Sequence, residues 1–313
     1  MIKRAVYKQV LYDTIKKATT TMSKDVIAAF ENAIANESSP VSRKGFQSTL
    51  QSLELSARRC SVACPDTGWP LFFFKIGNDC ELEGGILALE EAAREAVAEC
   101  TRDGYLRATM KHPITGADPG NNIGMNIPDF TYKFVPGDSF TVAYSAKGGG
   151  SECFGGTRHQ VIAYADGVKA IEKTIIDWYI DGTKTGAVCP PSVLGIGIGG
   201  TANISANLAK QAAVLRPIGS HHPDPMFAQI EEELFKALNS LGVGIMGTGG
   251  DISVFAVNVE YAFTHLDGIV VSMASNCMIA RRAATRIDAD STVNVLDAPD
   301  WFGGRGLGWQ HMI

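Results

Sequence analysis

Apolar residues recur at three- and four-residue spacing through roughly the first 60 positions, the period of helices with one buried face, and the pattern breaks at Ser38-Ser39-Pro40. The period then changes. Leu71-Phe72-Phe73-Phe74-Lys75-Ile76 is a nearly continuous apolar run closed by Gly77, which predicts a strand. GILALEEAAREAVAECTR, rich in Ala, Glu and Leu, predicts a helix over 85–102. Residues 111–130 carry Pro113, Gly116, Pro119, Gly120, Gly124 and Pro128 and read as loop. Strands are predicted at 130–135 and 139–146, around the turn Pro136-Gly137-Asp138, and the second runs into Gly148-Gly149-Gly150.

Beyond that triplet the chain alternates. A helix is predicted over about 165–181, then the strand SVLGIGIGG and the helix NISANLAKQAAVL. Pro223 and Pro225 precede the helix AQIEEELFKALNSLG, and DISVFAVNVEYAF and GIVVSMASN read as strands. The tail after Asp297, with Trp301, Gly303, Gly304, Gly306, Gly308 and Trp309, shows no regular period. The pattern predicts an α/β fold: mixed sheets flanked by helices, behind a helical N-terminal segment (1–60). Residues 61–313 form the main domain, continuous with those helices and without an internal repeat.

Composition narrows the function. The net charge is −5 with no Lys/Arg run, which argues against nucleic acid as a partner, since phosphate binding needs clustered cations. No apolar stretch reaches the length of a membrane span, and the N-terminus lacks the apolar core of a signal peptide, so a cytoplasmic protein is expected. The 7 cysteines, an odd number in a long chain, speak against a disulfide framework.

Three of those cysteines sit beside turn-forming residues: Cys64 in Cys64-Pro65-Asp66-Thr67-Gly68, Cys189 in Cys189-Pro190-Pro191, and Cys277 in Ser275-Asn276-Cys277-Met278, just before Arg281-Arg282. Soft thiolates suit iron–sulfur clusters, and three of them leave one iron of a cubane open as a Lewis acid. Inert, buried thiols are the competing reading. Gly195-x-Gly197-x-x-Gly200 formally matches a dinucleotide fingerprint, but Gly242-x-Gly244-x-x-Gly247 matches too, and no acidic residue ends a strand about 20 positions on. Close packing of a helix on the strand explains the first motif more simply. His221-His222, between prolines, reads as a surface loop.

Taken in order, CPDTG, KGGGSE, CPPSVLGIGIGGTAN, LRPIGSHHPDP, GVGIMGTGGD and SNCMIARRAATRI resemble the alpha chain of class I fumarate hydratase and of L-tartrate dehydratase, from about Cys64 to Asp290. The resemblance implies an iron–sulfur hydro-lyase that reversibly dehydrates a small hydroxy-dicarboxylic acid. It implies a 4Fe-4S cluster on Cys64, Cys189 and Cys277, with Asp66 and His265 as catalytic residues. Arg107, Lys147, Gly148, Gly149 and Gly150 match the substrate-binding positions. Arg281 and Arg282 either counter cluster or substrate charge or form salt bridges.

Some positions depart from the family pattern. Pro65 stands where the family usually has Gln, Asp251 where fumarases tend to carry Lys, and Leu266 where proline usually follows the histidine. A missing polar contact changes substrate discrimination. Family members complete the site with a second domain or a beta chain; no such segment follows Ile313, so a separate beta subunit, in a hetero- or homo-oligomer, is expected. The alternatives are a non-catalytic iron–sulfur carrier or sensor and a nucleotide-binding enzyme using Gly195, Gly197 and Gly200.

Overall fold

Three helices lead the chain in the computed structural model, which describes residues 1–302: α1 (Arg4–Thr20), α2 (Lys24–Asn36) and α3 (Pro40–Arg59). The break foreseen at Ser38-Ser39-Pro40 is a helix start. Ser39 Oγ accepts the Ser42 N–H, and Pro40 takes the first helical position, where its missing N–H costs nothing. A second break, at 21–23, separates α1 from α2.

Two mixed sheets follow. The first contains β1 (Trp69–Gly77), β2 (Asp129–Val135), β3 (Phe140–Lys147), β8 (Arg282–Ile287) and β9 (Val293–Leu296), in the order β2-β1-β3-β8-β9. The second contains β4 (Thr157–Ile162), β5 (Ser192–Ile198), β6 (Val254–Tyr261) and β7 (Ile269–Asn276), in the order β4-β7-β5-β6. Only β1–β2 and β5–β6 pair in parallel. The helices between them are α4 (Gly85–Arg102), α5 (Gly149–Cys153), α6 (Gly167–Thr183), α7 (Ala202–Leu215) and α8 (Pro225–Asn239).

The period of two along β1 sets the layers. Phe72, Phe74 and Ile76 face one side and pack with Leu11 and Ile15 of α1 and Leu89, Ala93 and Val97 of α4. Leu71 and Phe73 face the other and meet Ala209, Ala213 and Leu215 of α7. Helix α7 therefore lies between the sheets, and α6 and α8 cover the far face of the second through Ile171, Ile175, Ile230 and Leu234. A third cluster joins Phe30, Phe46 and Leu53 to Val193 and Phe255. Among the described residues no helix is long and apolar enough to cross a membrane.

The chain crosses between sheets twice, at Lys147–Gly150 on leaving β3 and at Cys277–Arg281 on leaving β7. Both crossings lie at one junction. The Arg281 carbonyl accepts the Ala146 N–H at 3.3 Å, and Gly156, just before β4, accepts the Ser275 N–H at 2.7 Å. The segments before β1 and β5 reach the same place, and the junction holds the chemistry described next. Strands β4, β8 and β9 and the short α5 are additions to the periodic pattern. The glycines and tryptophan beyond residue 302 lie outside the described residues.

Candidate active site at the sheet junction

Each of the three turn-borne cysteines arrives on its own segment. Cys189, at φ 53°, takes the left-handed conformation just before β5, and its carbonyl accepts the N–H of Met278, the residue after Cys277, at 3.2 Å. Cys277 ends β7, with its N–H on Asn276 Oδ1 at 3.1 Å. Cys64 is carried on the loop after α3, which Ala63 ties to the Thr19 carbonyl at 2.9 Å. All three are half-buried at the rim of one apolar cluster, whereas Cys60 and Cys153 are exposed and Cys100 is buried in the core against α1.

The three thiols act on one another electrostatically. Burial pushes Cys189 up to about 11, helped by Cys277, Cys64 and Asp66 and opposed by Arg281. Burial also raises Cys64, against the pull of Arg281 and of a backbone hydrogen bond at Asp66. Thiols buried and crowded in this way resist ionisation, and a bound metal cation reverses that balance. Among the described residues no three His, Cys, Asp or Glu side chains close around a single metal ion. A cubane asks for something else, since each thiolate takes its own iron corner and the sulfurs stay farther apart. Three thiols on three segments are soft donors of the kind such a group takes.

Asp66 lies inside the same field. Its Oδ1 accepts the Gly68 N–H at 3.0 Å, closing an Asx turn, and its Oδ2 accepts the Gly149 N–H at 2.7 Å. The carboxylate thereby joins the Cys64 loop to the Gly148–Gly150 crossing. Gly68 has to be glycine: at φ 73°, an added Cβ would sit 2.1 Å from the Lys147 carbonyl. Gly150 is as constrained, with the Ala187 carbonyl 2.2 Å from such a Cβ. Arg107 borders this loop through its backbone. Its N–H donates to Thr67 Oγ1 at 2.8 Å, and its side chain is exposed.

Lys147 does something other than meet a ligand directly. Its side chain is 1% exposed, and Nζ donates to Ser151 Oγ at 2.7 Å and pairs with Glu152 at 3.2 Å. Lys210 of α7 also pairs with Glu152. Burial pushes Lys147 down to about 8, with Glu152 opposing and Lys210 adding to the fall. Ser151 Oγ in turn donates to the Gly148 carbonyl at 3.1 Å. Lys147 braces the glycine crossing from behind, with its side chain on Ser151 and Glu152.

His265 is not brought to the junction. It lies on the exposed β6–β7 turn, paired with Asp267 at 3.0 Å. Strands β5 and β7 run antiparallel, and Cys189 and Cys277 flank the end opposite that turn. A seven-residue strand at about 3.3 Å per residue puts roughly 20 Å between them. Gly195 and Gly197 serve packing: a Cβ on either would lie 2.0 Å from the Ala209 carbonyl or 1.9 Å from that of Ser205, both on α7. His222 is buried against Phe227 and Tyr261, so the expected surface loop holds only for His221. Asp251 turns away to the α2–α3 joint, where its Oδ2 accepts the Ser38 N–H at 2.8 Å. A cavity of about 600 Å³ beside β2, lined in part by Glu90, Arg94 and Tyr132, shares no residue with the junction.

Sequence reasoning left Arg281 and Arg282 as equals, and the structure separates them. Arg282 is buried and paired with Asp25 of α2. Arg281 is 2% exposed and, among the described residues, has no such ion pair, whereas Nε and Nη1 lack a hydrogen-bond partner in both arginines. Residue type and spacing carried no signal for that difference.

Residues 8–286 match the family model described as "Fumarate hydratase (Fumerase)". A protein of Methanocaldococcus jannaschii named "Putative L(+)-tartrate dehydratase subunit alpha" is 33% identical over 284 residues, covering 90% of this chain and 98% of its own. The L(+)-tartrate dehydratase subunit alpha of Escherichia coli UTI89 is 31% identical over 277 residues, 88% of each chain. Its K12 counterpart is 30% identical over the same length.

Proposed function

The chain belongs to the fumarate hydratase (Fumerase) family of hydro-lyases, and from that premise we propose that it is the alpha subunit of an iron–sulfur enzyme dehydrating a small hydroxy-dicarboxylic acid. Cys64, Cys189 and Cys277 would hold a 4Fe-4S cluster, and a separate beta subunit would complete the site. The observation that carries this is the arrival of three half-buried thiols, on three separate segments, within one electrostatic field that also contains Asp66 and Arg281. The relatives named as alpha subunits support the partner, and the seven unbridged cysteines support a reducing, cytoplasmic setting.

When bound, the cluster would supply Lewis acidity that polarises the bond to the leaving hydroxyl. The chain's residues do the rest on this face. Asp66, held at both oxygens by the Gly68 and Gly149 N–H groups, keeps one orientation beside the thiols and moves a proton to or from the leaving hydroxyl. Gly148, Gly149 and Gly150 let substrate lie against backbone, and the Lys147–Ser151–Glu152 brace keeps that backbone still. Arg107, exposed beside Thr67, offers a planar fork for a substrate carboxylate. His265 takes no part on this face. Removing the carbon-bound proton falls to the beta subunit.

L-tartrate is the first substrate to test, given the names of the relatives and the loss of a side-chain donor at Pro65. Anaerobic co-expression with the beta subunit, followed by assay on L-tartrate, malate and citramalate, should yield dehydration of at least one. A cluster-loaded complex inert toward all three would contradict the proposal.

A further inference from the structure

Arg281 is a buried cation outside ion-pair distance of the nearby Asp66 carboxylate. Among the described residues no ion pair joins it to Asp or Glu, whereas Arg282 beside it has Asp25 and buried Arg216 has Glu231 and Glu260. Its Nε and Nη1 make no hydrogen bond; those atoms of Arg282 are unpartnered too, so the missing ion pair is what sets Arg281 apart. The groups that face it are the Cys64 and Cys189 thiols and the Tyr144 hydroxyl, itself buried and unpartnered. Its Nη2 also approaches Gly148 and Asp66: a Cβ on Gly148 would lie 3.5 Å from Nη2 and 3.4 Å from Asp66 Oδ2. The backbone fixes this placement, because the Arg281 carbonyl accepts from Ala146 N–H and Ser145 Oγ and so pins the residue to β3.

A charge taken out of water without a partner is costly, and folds retain one where a ligand supplies the missing partner. Neutral thiols give Arg281 no counter-charge, and Asp66, beyond ion-pair distance, spends its oxygens on the Gly68 and Gly149 N–H groups. Three thiolates on a dicationic cubane would leave a net negative group beside it. We infer that Arg281 is the counter-cation of the bound group, donating its free N–H groups toward the thiolate and sulfide sulfurs and setting how tightly the chain retains them. This rests on the cluster reading above and singles out Arg281 from Arg282, which the sequence left as equals.

The test separates a ligand-balancing cation from a structural one by sign. R281M and R281K are made in the full chain beside wild type. In iron-free protein, R281M should melt at or above the wild-type temperature, since it removes an unbalanced buried charge for an apolar chain of similar length. After anaerobic reconstitution with ferrous iron and sulfide, R281M should lose iron to a chelator at least tenfold faster than wild type, with R281K between them. Equal loss rates in all three proteins, or an iron-free R281M that melts well below wild type, would overturn the inference. If R281M does not fold, R281K decides: iron loss at least threefold faster than wild type supports the role, and an unchanged rate overturns it. A wild-type chain that takes up no iron defeats the cluster reading and this role together. Wild type and R281M holding iron equally well defeats only the role of Arg281.

Discussion

The two ends of the four-stranded sheet are built on opposite principles. Where β5 begins and β7 stops, Cys189 and Cys277 stand half-buried with Cys64, beside an arginine whose buried donors are unfilled. Where β5 stops, the backbone turns through Gly199 and Gly200, both at positive φ, into α7, whose first turn is tied down when Ser205 Oγ donates to the Gly197 carbonyl at 2.8 Å. The first end leaves buried donors unfilled; the second ties its helix down with its own hydrogen bond. Both carry residues that attract attention in a sequence, and only the unfilled hydrogen-bonding capacity tells them apart.

Substitutions should separate the ends in kind as well as in size. The largest effect is expected from Cys277→Ser in the co-expressed enzyme. Turnover should fall at least about 100-fold, since removing partners of a metal's ligands alone costs 10–100-fold, while circular dichroism and melting of the iron-free chain stay near wild type. Retained turnover would place the chemistry elsewhere. Gly197→Ala should do the reverse. An added Cβ 1.9 Å from the Ser205 carbonyl must push α7 off the sheet, at about 3 kcal/mol in denaturant unfolding. A near-neutral result would mean that the helix contact is looser than the geometry requires.

Glu152→Gln probes the brace behind the glycine crossing. Burial works against ionising Glu152, but Lys147 and Lys210 outweigh it and hold its carboxyl below the usual carboxylate range. A depressed acid contributes its stability fully above the unfolded value, near 4.3, and loses it as pH falls through the folded one. Glu152→Gln should therefore cost about 2 kcal/mol at neutral pH, less than a fully buried pair because Glu152 is partly exposed. The penalty should shrink as the pH is lowered past that range in urea titrations. A pH-independent penalty would assign the loss to packing instead of charge. His265→Ala should change least: within about 0.5 kcal/mol in stability, with iron content unaltered, because His265 and its neighbour Asp267 are both exposed.

Much of this was legible in the chain, and the exceptions share causes. Helix α4 matches its predicted span because Ala, Glu and Leu favour helix on their own and their spacing puts Leu89, Ala93 and Val97 on one face. Strands β5, β6 and β7 were readable because each is bounded by turn residues and buried. Strand β4 was not: TRHQVI is an exposed edge with little apolar signal. Strand β8 was not either, since RAATRI carries helix-favouring Ala and Arg and becomes a strand through pairing with β3 and β9. At the site, turn chemistry singled out the three cysteines, and the family resemblance added Asp66. The burial of Lys147 and the contrast between Arg281 and Arg282 depend on the opposing segment, which no local pattern contains.

The most direct test of the central claim is the iron and acid-labile sulfide content of the full chain after strictly anaerobic reconstitution, with Mössbauer spectroscopy to identify the iron. The account predicts about four irons and four sulfides per chain in a cubane, with serine at any of Cys64, Cys189 or Cys277 abolishing them and serine at Cys60, Cys100 or Cys153 leaving them in place. A wild-type chain without bound iron, or one whose iron survives loss of all three thiols, would contradict it.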